Sequence, residues 1–222
     1  MLPHIDLHTY LLFVGAAVTL ILMPGPDTVF VLTQGVGAGK RSGLASALGV
    51  STGILVHTTA AAVGLAALLR TSALAFSVIK YAGAAYLLYL GAKTLWGGGE
   101  LDDLGSLDTS TEITDTELRQ GYLRGVTVNV LNPKVALFFL ALLPQFVGSG
   151  AGSASGAGTT LEMLALGGTY AILTALYLGT VGLLSGGVRS AFQTRPRLAD
   201  GLRWLSGSVL VALGAVLALE SR

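Results

Sequence analysis

The chain has 222 residues, of which 52% are hydrophobic and only 11% charged, with a formal net charge of +1 and a mean hydropathy of +0.72. Soluble domains carry roughly 25% charged residues, so this chain could not cover a surface in water, and a soluble fold is excluded. It has no cysteine, which removes disulfides, thiolate metal sites and dithiol redox chemistry.

A bilayer core about 30 Å thick needs roughly 20 apolar residues per helix. The sequence predicts an all-α integral membrane protein of about six such helices: Leu7–Gln34, Gly43–Leu69, Ala73–Trp96, Tyr122–Val147, Leu161–Val188 and Trp204–Leu219. The runs are unbroken and rich in Leu and Ala, whereas barrel strands alternate apolar and polar residues over about ten positions. The N-terminus lacks the Lys or Arg of a secretory signal and shows no clear cleavage site, so the first stretch reads as a retained helix. Residues 97–121 carry seven acids, Glu100 to Glu117, and read as a solvated loop. Residues 148–160, rich in Gly, Ala and Ser without charge, read as a flexible linker.

Orientation follows the bias of Lys and Arg among the loops. Lys40, Arg41, Lys93, Arg119, Arg124, Arg189, Arg195, Arg197 and Arg203 fall on one side, against Arg70 and Arg222 on the other. This places loops 35–42, 97–121 and 189–203 in the cytoplasm and both termini outside, in the cytoplasmic membrane. If the first hydrophobic segment does not cross fully, the N-terminus moves to the cytoplasmic side.

The two halves resemble each other. Span three has Lys80-Tyr81-Ala82-Gly83 and then an apolar run ending in Gly91-Ala92; span six has Arg203-Trp204-Leu205-Ser206-Gly207 and a run ending in Gly214-Ala215. Spans one and four are each interrupted by proline, as Met23-Pro24-Gly25-Pro26-Asp27 and as Leu131-Asn132-Pro133-Lys134. Residues 1–96 and 122–222 thus read as two three-helix repeats, joined by the acidic loop 97–121. An odd number of spans per repeat inverts one half relative to the other. Inverted repeats with interrupted helices at matching positions point to a secondary transporter and to its site.

Proline removes an N–H and clashes with the carbonyl four residues back. Within lipid the freed groups must find protein, water or ligand. Gly25 is expected as N-cap with Pro26 at the first position of a new half-helix, and Asp27 in its first turn at the positive end of the dipole. Asn132, Pro133 and Lys134 repeat that logic, with Asn132 as N-cap. Two half-helix N-termini facing one cavity would offer N–H donors to a carboxylate, and the carbonyls stranded before each break could take an ammonium group. A zwitterion such as an amino acid uses both. Asp27 and Lys134 each cost about 2.5–3.5 kcal/mol at a helix centre and are expected to face protein or water. Asp27 is the candidate for proton coupling, and Asn129, one turn before Pro133, is a candidate to line the same cavity. A structural ion pair fixing two kinked helices is the competing reading.

Weaker signals have plainer readings. Lys80 reads as snorkelling to an interface, His57 as a hydrogen-bonded packing residue, and Glu162 as interfacial. Gly49 and Gly53 read as a close contact within the molecule, with a homo-oligomer left open. An intramembrane hydrolase using Ser185 and His57 lacks a good nucleophile motif. The absence of Cys leaves few soft ligands for transition metals, while an oxygen-lined site for a hard cation stays open.

With Pro24-Gly25-Pro26-Asp27 in span one, Asn132-Pro133-Lys134 in span four and Gly83-Ala84-Ala85-Tyr86-Leu87-Leu88-Tyr89-Leu90-Gly91 in span three, the chain resembles the LysE/RhtB family of amino-acid exporters over essentially its whole length. The resemblance implies a small inner-membrane permease with six hydrophobic segments. It also implies export of amino acids or related zwitterions, driven by the proton gradient or the membrane potential, without enzymatic activity or cofactor. The expected partners are an amino acid as substrate and membrane lipid, with no nucleic acid. The long acidic loop and the glycine-rich linker depart from the family pattern.

Overall fold

The computed structural model describes residues 5–71, 73–96, 115–147, 156–187 and 196–219, and among these every regular element is helical. Helix α1 spans Leu7–Leu22. Asp6 caps it, its carboxylate accepting from the Thr9 N–H at 3.0 Å and the Thr9 hydroxyl at 2.6 Å. The helix stops at Met23, because Pro24 has no N–H with which to continue the ladder. Helix α2, Pro26–Gly37, restarts with Gly25 as N-cap and Pro26 at its first position, and the two axes meet at 52°.

Ala38 closes α2, and Gly39 at φ 79° turns the chain at once into α3, Gly39–Thr71. That φ lies in the left-handed region, which only glycine enters cheaply. Helix α4 is Ala73–Leu95 and α5 is Asp115–Val130. After the second break, α6 (Pro133–Leu137) runs on as a π turn over Phe138–Leu142 and a 3-10 turn over Leu143–Phe146. Pro144, unable to donate to the Leu140 carbonyl, accounts for the departure from α geometry. The helices flanking this break meet at 49°. Helices α7, Gly156–Leu183, and α8, Pro196–Leu219, complete the chain.

Helix α3 is central. It packs along α5 on one side and α7 on another, with α2 laid across both α3 and α7, while α4 pairs with α8. Glycines permit these approaches. A Cβ on Gly49 would stand 2.9 Å from the Tyr122 carbonyl carbon, and one on Gly125 3.0 Å from the Val50 nitrogen. Gly43 faces Gly182 between α3 and α7, and Gly91 faces Gly207 between α4 and α8. Both glycines of the Gly49–Gly53 pair are therefore used inside the molecule, against Tyr122 and Asn129 of α5.

The larger core gathers Phe13, Phe138, Phe139 and Tyr170; a smaller one joins Val31, Leu32, Val50 and Val181 of α2, α3 and α7. Large apolar side chains such as Leu11, Val63, Ile172 and Leu176 point outward, as a bilayer requires. Helices α3 and α7 are each long and apolar enough to cross a membrane, and each bent pair makes one further candidate, giving two to four spans among the described residues.

Four expected boundaries shift. The acidic loop ends earlier than residue 121, since α5 starts at Asp115; residues 97–114 lie outside the described residues. Helix α8 takes in residues 196–203 of the expected basic loop, as Pro196 is suited to a first helical position; residues 188–195 lie outside. Helix α7 begins at Gly156 within the expected linker; residues 148–155 lie outside. Loop 35–42 shrinks to Ala38 alone, between α2 and α3.

If α3 and α5 touch backbone to backbone, Gly125→Ala will overpack that contact at a cost of about 1–3 kcal/mol, seen as a lower melting temperature of the purified protein. Gly168→Ala, where no neighbour lies within 4 Å, will hold or raise it. Equal shifts for the two variants would sink this account of the packing.

Candidate functional site

The two helix breaks meet. Asp27, in the first turn of α2, accepts at one oxygen, Oδ2, from the side-chain amides of Asn129 and Asn132, each at 3.0 Å. Asn132 works in two directions, because its Oδ1 also caps α6 by accepting from the Lys134 N–H at 3.0 Å. The Asn129 carbonyl accepts from the Asn132 N–H at 2.9 Å and from His57 Nε2 at 3.1 Å. That contact requires the proton of the ring to sit on Nε2. The His57 ring also stacks on Phe139, with centroids 6.1 Å apart.

The reverse contact runs through Lys134. Its ammonium donates to the Leu20 carbonyl at 3.4 Å and the Met23 carbonyl at 3.2 Å. In an unbroken helix Leu20 would accept from the N–H of residue 24, which in Pro24 does not exist. The lysine of the second break thus fills the carbonyls stranded by the first, and the asparagines of the second break hold its carboxylate. All four side chains are buried: Asn129 is 0% exposed, Asn132 2%, Lys134 7% and Asp27 8%.

Asp27 and Lys134 border one cavity with Thr28, Tyr170 and Thr174, against an apolar wall that includes Leu20, Ile54, Val135 and Leu178. It has room for about one water and too little for an amino acid. Two buried oxygens on its rim, Asp27 Oδ1 and Thr174 Oγ1, have no hydrogen-bond partner.

Of the residues singled out in the sequence, Asp27, Asn129, Asn132 and Lys134 come together here. Pro24, Gly25, Pro26 and Pro133 supply the breaks and no polar side chain. The side chain of Lys80 lies outside the described residues. Glu162, expected at an interface, lies near the start of α7 and is packed against protein, at 3% exposure. Ser185 lies against Gly35, and no hydrogen bond joins it to His57. Among the described residues no three His, Asp or Glu gather to hold a metal ion. Sequence reasoning missed Thr28 and the whole α7 contribution, Tyr170 and Thr174. Hydroxyls scattered through an apolar helix carry no local mark of the cavity they face.

Asn132→Asp keeps an equally good N-cap but replaces the amide donor with a second carboxylate against Asp27. A bond to a charged group contributes about 1.5–3 kcal/mol, and the variant is expected to melt at a lower temperature by at least that equivalent at neutral pH. An unchanged melting temperature would mean that the Asp27 contact contributes little.

The profile of the LysE type translocators matches residues 18–221. A leucine efflux protein of Klebsiella pneumoniae is 35% identical over 209 residues, 94% of each chain, and one of an Enterobacter species is 32% identical over 93% of each. A membrane protein of Pseudomonas aeruginosa is 33% identical over 98% of both chains. No solved structure matches. With the profile covering nearly the entire length and relatives this similar end to end, the chain is a multi-pass membrane protein that belongs to the LysE type translocator family.

Proposed function

We propose that this translocator is a secondary transporter that exports amino acids or related small zwitterions across the cytoplasmic membrane, with the meeting point of the two helix breaks as its substrate site. The observation that supports this most is the crossed bonding of Asp27 and Lys134, a buried anion and a buried cation on the rim of one cavity. A zwitterion carries the complementary pair. Its carboxylate competes for Lys134 and its ammonium for Asp27, so binding exchanges contacts that the chain makes with itself.

The architecture adopted with this reading has six spans in two inverted three-helix repeats, residues 1–96 and 122–222, rocking about the breaks to expose the site to either side. The loops after spans one, three and five lie in the cytoplasm. Because the cavity has room for only about one water, substrate enters only as the repeats separate. Leucine is the first substrate to test, given the names of the relatives and the aliphatic wall of the cavity. Asp27 is the group assigned to coupling with the proton gradient or the membrane potential.

Wild-type protein in proteoliposomes preloaded with labelled leucine is expected to export it under an imposed proton gradient. Asp27→Asn, reconstituted in equal amount, is expected to export at least about tenfold more slowly, the loss of one charged hydrogen bond in rate terms. Full activity in Asp27→Asn would remove this carboxylate from the mechanism. Failure of the wild type with leucine and with the other standard amino acids would remove the substrate class.

A further inference from the structure

Resting on the reading of an amino-acid exporter, we propose that Thr174 of α7, with the free oxygen of Asp27, forms the subsite for the substrate's ammonium group.

A threonine inside a helix normally gives its hydroxyl proton to the carbonyl four residues back. Thr19, Thr58, Thr169 and Thr180 do this here, at 2.7–3.0 Å. Thr174 does not. It is 3% exposed, its oxygen has no partner, and it borders the cavity beside Asp27. A hydroxyl left buried and unpaired costs stability, and valine would fill the same space without that cost. Asp27 repeats the pattern at the other rim: Oδ2 takes both asparagine amides while Oδ1 takes nothing.

The two orphaned atoms are both oxygens able to accept a bond, and one belongs to a carboxylate. They therefore suit a cationic donor and not an anion. The space between the walls is that of one water, which is also the size of an ammonium head. Lys134, on the same rim, is then placed for the carboxylate one carbon away once it leaves the Leu20 and Met23 carbonyls. Thr174 thus reads the head group of the substrate, while its side chain occupies whatever space the opening of the repeats creates.

The test is leucine binding to purified protein in nanodiscs, measured by calorimetry for wild type, Thr174→Val and Thr174→Ser. Thr174→Val is expected to weaken binding about tenfold or more, one bond to a charged group, while melting at the same temperature as wild type or higher. Thr174→Ser, which keeps the hydroxyl, is expected to stay within about threefold of wild type on the same scale. Wild-type affinity in Thr174→Val would overturn the proposal, leaving the hydroxyl as a partner for water only. Equal losses in the valine and serine variants would overturn it too, since shape and not the hydroxyl would then matter. If wild type binds none of the standard amino acids, the exporter reading itself falls and the subsite with it.

Discussion

Two interrupted helices that satisfy one another are the constraint on which this molecule depends. Within a bilayer an unpaired backbone carbonyl has no water to turn to and costs several kcal/mol. A buried carboxylate or ammonium is no cheaper, at about 2.5–3.5 kcal/mol on insertion scales. Taken separately, Pro24, Asp27 and Lys134 would each count against the fold. Brought together, the ammonium answers the stranded Leu20 and Met23 carbonyls and the asparagines answer the carboxylate. The bends of 52° and 49° carry the two helix starts toward this common point.

The remaining elements hold that meeting in place. Helix α3 packs against α2, α5 and α7, and glycine-to-backbone approaches leave it little freedom to slide. From it His57 reaches the Asn129 carbonyl, and Ile54 forms part of the apolar wall. Close packing around a polar centre means that few side chains stand between the charges and the helices that would move them. Any exchange of partners at Asp27 or Lys134 is then felt directly by α1, α2, α5 and α6.

The charges at this crossing are satisfied internally, yet three oxygens of the residues gathered there, Asp27 Oδ1, Asn129 Oδ1 and Thr174 Oγ1, have no hydrogen-bond partner. That imbalance is what favours the proposed binding site over a purely structural ion pair. A purely structural pair would be expected to use both carboxylate oxygens, and Thr174 would back-bond to its own helix as other threonines do.

Much of this was legible in the residues themselves. Charge-poor, leucine-rich runs dictate membrane helices because burial of apolar surface is a local property of each run. The breaks at Pro24 and Pro133, the caps at Gly25 and Asn132, and Asp27 in the first turn of α2 follow from chemistry between chain neighbours. The start of α5 at Asp115 and of α8 at Pro196 did not follow, since polar composition alone does not separate a solvated helix end from a loop. Nor could any local pattern show that Asp27 would bond residues 102 and 105 positions away, or that Lys134 would reach carbonyls 114 and 111 positions back. The orientation of the Thr174 hydroxyl was equally hidden. These depend on how the helices pack, because a side chain chooses between its own backbone and a distant cavity only once the opposite wall exists.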